Sequence, residues 1–197
     1  MNGKTHEAVG VASALIAMHG AGRKEMIIGC LVASAAATIP DVDLIDNRKG
    51  QGIQMVVEVI KQSMIPLGFA LYYRAETALV VGWIGLMILL VLQPHRGFSH
   101  SICGMVITAG LFRAMTREWL IPWYLVSYGS HILLDLLNTK SVQILWPKGF
   151  CFNWVKSGGI TDWVIGAIAS MVIVVLIIGR MQGLDMVQVL VEEVAKW

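Results

Sequence analysis

Residues 77–92 have the sequence TALVVGWIGLMILLVL, which contains no charged side chain. A run of this composition predicts a membrane-embedded helix, and the Gln93-Pro94 pair that follows predicts its end. The rest of the chain agrees, because only 14% of its 197 residues are charged, against about 25% in an average soluble domain. The sequence therefore predicts an integral membrane protein.

Further apolar stretches lie on both sides of this run. Strong spans are predicted at residues 101–115, 119–137 and 163–178, and weaker ones at 7–18, 26–39 and 53–72. We therefore expect an all-α, multi-pass fold with five to seven membrane-embedded helices. Residues 1–183 would form one helical domain, followed by an amphipathic tail at residues 184–197. Residues 138–162 are polar and aromatic, and are predicted to form a loop.

Charge and cysteine content exclude several classes of protein. The formal net charge of +2 is too small to indicate a nucleic-acid partner, and no basic cluster is present. The three cysteines are far apart and have no paired spacing. They therefore predict neither a zinc ribbon nor a disulfide framework.

Ionisable residues within or beside the apolar stretches are the candidates for function, because burying them in a membrane is costly. They are His6, Asp41, Asp43, His131 and Asp135. His131 and Asp135 are four residues apart, which places them on one face of a helix. Asp41 and Asp43 flank Val42, so both carboxylates can face one centre. Histidine and aspartate bind zinc, manganese or iron, and we predict a site for one or two such ions.

A second motif, His95-Arg96-Gly97-Phe98-Ser99-His100, lies between two predicted spans. His100 is a further candidate metal ligand. The planar guanidinium of Arg96 is suited to bind a phosphate or a carboxylate. His95 is predicted either to support a ligand or to act as a proton donor.

The order of the spans brings these candidates to one side of the membrane. If successive helices cross in alternate directions, the ligands at the ends of the first, second, fourth, fifth and sixth helices share one face. Scattered polar residues would not converge in this way. We therefore expect the metal site at one membrane face.

Each pair also has an ordinary structural explanation. His131 and Asp135 could form a buried hydrogen bond that only stabilises their helix. Asp41 and Asp43 follow Pro40, and Pro-Asp is common in turns. The metal site is preferred because all the pairs converge.

The motifs also resemble a known family in their order and spacing. Thr5-His6, Pro40-Asp41-Val42-Asp43, the segment from His95 to Ser101, and His131 to Asp135 followed by Leu145-Trp146-Pro147 resemble the YdjM family of LexA-regulated inner-membrane proteins. The resemblance covers about residues 1–150. Two departures are Ser99, where the family often has threonine, and residues 138–141, where it often has Thr-Pro followed by glycine.

The resemblance implies a bacterial inner-membrane protein, expressed in the LexA-controlled SOS response and acting as a metal-dependent hydrolase. With the residues above, it leads us to expect cleavage of a membrane lipid or lipid-linked ester, most simply a phosphoester, by a metal-activated water. Zinc is the expected metal, with manganese or iron as alternatives. The expected ligands are His6, Asp41, Asp43, His100, His131 and Asp135. The expected catalytic residues are Asp43 as a general base, Arg96 as an anion-binding group, and His95.

Two other functions remain open at this point. A transporter could use the same histidines and aspartates to bind a metal or a proton in transit. A scaffold protein could use a closed metal site only to hold helices together. The chain has no evident internal repeat, which many transporters have, so hydrolysis is the preferred hypothesis.

Overall fold

A computed structural model describes residues 1–43 and 51–195. Within these ranges the chain forms eight α-helices and one β-hairpin. They are α1 Gly3–Ala17, α2 Arg23–Thr38, α3 Gln51–Tyr72, α4 Thr77–Val91, α5 Ile102–Met115, α6 Ile121–Leu136, β1 Val142–Leu145, β2 Lys148–Phe150, α7 Ile160–Met181 and α8 Met186–Val194. Residues 196–197, the end of the predicted tail, lie outside the described ranges.

Four helices form the centre of the bundle. Helix α1 packs against α2, α6 and α7, and α2 also packs against α6. Small residues allow this close approach. A Cβ atom at Gly10 would lie 2.4 Å from Ser127 Oγ, and one at Gly29 would lie 2.3 Å from the Trp123 ring. Small residues at such interfaces are typical of membrane helix packing.

Helices α3, α4 and α5 extend the bundle along one side. Helix α3 packs on α2 and α4, α4 packs on α5, and α5 packs on α6. Helix α3 continues through Pro66 without ending there. Aromatic side chains fill the space between α4, α5 and α6: Phe112 stacks on Tyr124 at 4.9 Å between ring centroids, and Trp83 lies 6.3 Å from Phe112.

The outer surface matches the prediction of a membrane protein. Among the described residues, three helical segments are long and apolar enough to cross a bilayer: Arg23–Asp43, Ile53–Tyr72 and Ile160–Met181. Helices α4 and α5 are also apolar but shorter. Ile168, Met171 and Val174 on α7 are exposed on the outside of the bundle, where lipid would cover them. The prediction of an all-α membrane fold is confirmed.

Three helix ends determine where the polar residues lie. Helix α2 ends before Pro40 and continues as a short 3-10 turn, Ile39–Asp43, which places two aspartates beside each other. The N-cap of α5 is Ser101, whose hydroxyl oxygen accepts a hydrogen bond from Gly104 N at 3.0 Å. The N-cap of α1 is Asn2, whose side-chain oxygen accepts from Lys4 N at 3.3 Å. Capping of this kind is the usual way to satisfy the first free N–H groups of a helix.

The segment predicted as a loop contains a β-hairpin. Strands β1 and β2 pair antiparallel, with Val142 opposite Phe150 and Leu145 opposite Lys148. The sequence signal was weak because the strands have only four and three residues. A backbone bond from Phe152 N to Leu136 O at 2.7 Å joins the segment to the end of α6, and one from Gln143 N to Arg96 O at 3.2 Å joins it to the connection between α4 and α5.

Helix α8 lies beyond α7 and exposes an apolar face. Its N-cap is Asp185, whose Oδ1 accepts from Val187 N at 3.1 Å and from Gln188 N at 3.2 Å. Partial burial raises the pKa of Asp185, but these bonds and the His19 ring outweigh it and hold that pKa below its ordinary value. The Asp185 carboxylate therefore stays charged and keeps the start of α8 capped.

Candidate metal centre

All eight residues predicted for the site lie at one end of the bundle. They are His6 on α1, Asp41 and Asp43 on the turn after α2, His95 and Arg96 between α4 and α5, His100 directly before α5, and His131 and Asp135 on α6. Each of them contacts another member of the set. The structure thus gathers side chains from two helices and two connections into one cluster.

Four of these side chains converge most closely. His100 Nε2 and His131 Nε2 are 3.3 Å apart. Asp41 Oδ1 lies 3.5 Å from the first of these nitrogens and 3.6 Å from the second. Asp135 Oδ2 lies 3.5 Å from His100 Nε2. All four side chains are buried except that of Asp41, which is 14% exposed.

In His100 and His131, a hydrogen bond at Nδ1 determines which ring nitrogen carries the hydrogen and which one faces the centre without it. His131 Nδ1 lies 2.6 Å from Ala37 O, which can only accept, so Nδ1 carries the hydrogen. Ser99 Oγ donates to Asp43 Oδ2 at 2.8 Å and therefore accepts from His100 Nδ1 at 3.0 Å. In the neutral form of each ring, Nε2 is then the nitrogen without a hydrogen.

This arrangement fits a metal ion. Asp41 Oδ1 and the two Nε2 atoms lie 3.3–3.6 Å from one another, and Asp135 Oδ2 lies 3.5 Å from His100 Nε2. Ligands of a tetrahedral ion at about 2.0–2.1 Å are separated by about 3.3–3.4 Å, close to the first three distances. Ligating histidines also typically donate their other N–H to a carbonyl or a polar oxygen, as His100 and His131 do here.

Three overlapping groups of side chains could hold an ion, with ligand atoms within 4.8 Å of one another. They are His6, His131 and Asp135; Asp41, His100 and His131; and Asp43, His95 and His100. Neighbouring groups share a histidine, so these side chains could hold more than one ion in adjacent positions.

His6 contacts the edge of the innermost four. Its Nε2 lies 3.2 Å from Asp135 Oδ1, and its ring stacks on the His131 ring at 3.8 Å between centroids. Within the described part of the chain, the buried Nδ1 atom of His6 has no hydrogen-bond partner. His6 is thus placed either to ligate or to hold Asp135 and His131 in position.

Asp43 has a different environment from Asp41. Its Oδ1 accepts from His95 Nδ1 at 2.7 Å, and its Oδ2 accepts from Ser99 Oγ at 2.8 Å and Arg96 N at 3.2 Å. Both oxygens are therefore occupied by donors. This arrangement favours orientation of His95 and His100 by Asp43 over direct contact with an ion.

A cleft of about 370 Å³ opens beside the cluster. Asp41, His95 and Asp135 contribute to its walls, so candidate ligands and His95 border the same space. The His95 side chain is 33% exposed. Because its Nδ1 is held by Asp43, its Nε2 is the atom that remains available to exchange a proton.

Arg96 connects the cleft to Asp135. Its Nη2 donates to Asp135 Oδ1 at 3.3 Å and its Nη1 donates to Lys140 O at 2.7 Å. Asp135 Oδ1 also accepts from the amino group of Met1 at 3.0 Å. The residue adopts φ 65°, in the left-handed region that is uncommon for residues other than glycine, so its position in the turn is closely determined.

Further residues that were not among the predicted site residues take part in the site. Ser99 connects Asp43 to His100, and the cleft is also bordered by Met1, Asn138, Thr139, Lys140, Lys156 and Ser157. Ser99 adjoins His100 in sequence, so a search for hydroxyls beside candidate ligands would find it. Lys140 and Lys156 flank the hairpin, which the sequence pattern does not predict.

Comparisons with known proteins agree with the membrane fold. A family model described as YdjM inner membrane protein matches residues 1–191. The inner membrane protein YdjM of Escherichia coli (strain K12) and that of Shigella flexneri are each 34% identical to this chain over 65 residues. That match covers 30% of this chain, and the chain spans only about a third (33%) of the length of these relatives. No solved structure matches the chain.

Proposed function

This chain belongs to the YdjM inner membrane protein family, and from that premise we propose that it is a membrane-bound, metal-dependent hydrolase. The proposed substrate is a lipid or a lipid-linked phosphoester, cleaved by water. The observation that carries the proposal is the convergence of two bare imidazole nitrogens and two carboxylates beside a cleft.

Asp41, His100 and His131 are the side chains proposed to hold the ion, which would leave a position open for water. Asp135 and His6 are proposed to support them or to ligate a neighbouring ion. A divalent metal held there, zinc in the simplest case, supplies the Lewis acidity that activates a water molecule at neutral pH. Asp135 is shared between the site and three donors, from His6, Arg96 and Met1. These donors fix one carboxylate oxygen and leave the other to face His100.

His95 is proposed to move the proton during hydrolysis. Its Nδ1–H donates to Asp43, so Nε2 can accept a proton from the attacking water and return it to the leaving oxygen. This orientation of an imidazole by a buried carboxylate is a common arrangement for general acid–base catalysis. Asp43 is then a positioning residue, since donors occupy both of its oxygens.

The location of the cluster favours a lipid substrate over transport. The ligands lie at helix ends: Asp41 follows α2, His100 precedes α5, and Asp135 is the next-to-last residue of α6. Transport sites usually lie near the middle of the bilayer. At this same end Trp146 packs edge-on against Phe98 at 5.7 Å between centroids and is 51% exposed, as expected at a lipid–water interface.

The test begins with elemental analysis of the full-length protein purified in detergent. We expect about one divalent transition metal per chain, and we expect His131→Ala and His100→Ala to lose it. His19→Ala is the matched control, because His19 lies beyond the other end of α1 and pairs with Asp185. Equal metal content in all three variants would refute the proposed ligands.

Activity is tested next on mixed micelles of single phospholipids, by release of phosphate or headgroup. Wild-type protein should cleave at least one phosphoester, and His131→Ala should not. Sealed proteoliposomes that take up zinc without any lipid cleavage would favour the transporter instead. A tightly held metal with neither cleavage nor uptake would favour the scaffold.

A further inference from the structure

The cleft beside the candidate metal centre has a strongly cationic wall. Its lining includes the carboxylates of Asp41 and Asp135 on the side of the cluster. The remaining wall includes Arg96, Asn138, Lys140 and Lys156. Except for Arg96, these last residues have no part in the hydrolytic chemistry proposed above.

Asn138 presents unused hydrogen-bond donors. The residue is only 1% exposed, and its Oδ1 accepts from Thr139 N at 2.8 Å. In the opposite orientation of the Asn138 amide, Nδ2 would face Thr139 N and two donors would meet. The orientation of the side chain is therefore determined. Its buried Nδ2 has no partner within residues 1–43 and 51–195. Unpaired buried donors are uncommon and call for an explanation, such as a ligand that accepts from them.

The charged residues of the same wall offer further hydrogen-bond donors to an anion. Neither ammonium group, that of Lys140 or that of Lys156, forms an ion pair with any described residue. Arg96 uses its two terminal nitrogens within the protein, but its buried Nε has no partner in the part of the chain that the structure describes. Amide, guanidinium and ammonium donors together are the usual ligands of phosphate oxygens.

The balance of charge indicates how many negative charges the ligand should carry. A divalent metal would neutralise the two carboxylates of Asp41 and Asp135. The cationic groups of Arg96, Lys140 and Lys156, together with the amino group of Met1, then remain without compensation at the cleft. A phosphate monoester carries close to two negative charges at neutral pH and exposes three acceptor oxygens, so it matches this wall better than a carboxylate or a neutral ester.

We propose that Asn138, Arg96, Lys140 and Lys156 form a phosphate-binding subsite that selects a substrate with a terminal phosphate group. This inference deepens the proposed hydrolase function. It rests on that function only in taking the bound phosphate to be part of the substrate. Binding of phosphate by the four residues is a property of the chain that can be measured without turnover.

The experiment measures binding of inorganic phosphate to the full-length protein in detergent by isothermal titration calorimetry. Each protein is measured both loaded with zinc and after removal of metal by a chelator. Asn138→Asp keeps the oxygen that accepts from Thr139 N but replaces the free donors by an acceptor. We expect this change to weaken phosphate binding about tenfold or more, and Lys156→Ala to weaken it about two- to fivefold.

Two matched controls accompany these variants. Gln93→Glu adds the same single negative charge at an exposed position near this end of the bundle that does not line the cleft. Lys148→Ala removes an exposed lysine from the hairpin outside the cleft. Both should bind phosphate as the wild type does. The zinc content of every variant should equal that of the wild type, which separates loss of the subsite from loss of the metal site.

A competition arm distinguishes a lipid headgroup from free phosphate as the natural ligand. Mixed micelles that contain phosphatidic acid should displace inorganic phosphate, whereas micelles of phosphatidylcholine should not. Displacement assigns the subsite to a lipid, and its absence with intact phosphate binding assigns it to a soluble phosphate compound. Both results agree with the subsite itself.

Other outcomes would contradict the phosphate-binding subsite. If zinc-loaded wild-type protein does not bind phosphate, or if Gln93→Glu weakens binding as much as Asn138→Asp does, the subsite is wrong while the metal-dependent hydrolase remains possible. If the protein binds no metal, the hydrolase fails. Weak phosphate binding by the metal-free protein that depends on Asn138 would still support the subsite.

Discussion

His131 shows how the contacts of a single side chain leave one ring nitrogen facing the centre of the cluster. The Ala37 carbonyl holds one ring nitrogen at 2.6 Å, and the His6 ring covers one face of the imidazole. Only Nε2 remains to interact with the centre. A buried histidine that served only to stabilise its helix would donate to the aspartate one turn away. The neutral His131 ring donates its one hydrogen to the Ala37 carbonyl and has none left for Asp135.

The first prediction at the scale of residues separates His95 from the metal ligands. His95→Gln should leave the metal content unchanged, because His95 is not among the four innermost side chains. It should lower kcat by about 10²–10⁴-fold, the usual loss on removal of a general acid or base. The measurements are elemental analysis and turnover of the best lipid found in the phospholipid panel.

Asp43→Asn is the matched companion to that variant. It should reduce both turnover and metal affinity, the latter about 10- to 100-fold, since Asp43 acts on His95 directly and on His100 through Ser99. If His95→Gln instead abolishes metal binding while Asp43→Asn does not, the roles assigned to these two residues are wrong.

The sequence predicted the members of the cluster better than their separate roles. The four-residue spacing of His131 and Asp135, and the Pro-Asp-Val-Asp motif, indicated side chains that face one centre. Nothing in the spacing of Asp41 and Asp43 distinguishes them. In the structure one faces two histidine nitrogens and the other accepts three hydrogen bonds, and that difference depends on Ser99 and His95, which come from a distant turn.

At the scale of elements, the packing of α2 against α6 positions the site. The carbonyl that holds His131 belongs to α2, and Ser127 Oγ on α6 donates to Ala33 O on α2 at 2.5 Å. Gly29 lies on the same interface, where the Trp123 ring occupies the space that a Cβ atom would need. The register between these two helices is therefore fixed by side-chain size as well as by hydrogen bonds.

This packing makes a prediction for Gly29. Gly29→Ala should destabilise the protein by about 1–3 kcal/mol, because the Trp123 ring would have to move within a packed interface. The matched control is Gly82→Ala on α4, where an added Cβ meets nothing within 4 Å. Thermal unfolding in detergent should show a lower Tm for the first variant only. An equal loss in both would mean that glycine at position 29 serves the helix itself and not its packing.

The hairpin marks the limit of prediction at this scale. The long helices were found from their apolar runs, and α1 and α2 were placed within a few residues of their ends. Strands β1 and β2 are too short to show a period of two, and their position depends on backbone bonds to Arg96 and to the end of α6. Lys140 and Lys156 were missed as site residues for the same reason.

At the scale of the whole molecule, the cluster brings together side chains from parts of the chain that are distant in sequence. Asp41, His100 and His131 come from the end of α2, the turn before α5 and α6. An ion bound to this set would hold three helices together at one end of the bundle. Metal binding and folding would then be coupled, as in other proteins whose ligands come from distant segments.

That coupling predicts how stability depends on the metal. At a free zinc concentration of a hundred times Kd, the folded protein should gain about 2.7 kcal/mol. Removal of zinc by a chelator should therefore lower the Tm of the wild type. In His131→Ala the chelator should have little effect. Equal shifts in both proteins would show that the chelator acts elsewhere.

The order of the ligands along the chain has a consequence for biogenesis. The last of the four innermost side chains, Asp135, lies on α6, about two thirds of the way through the sequence. During translation, the first five helices are therefore made before the complete cluster exists. A nascent chain arrested before that residue would lack part of the proposed site, so in the proposed geometry the ion could bind only after α6 has been made.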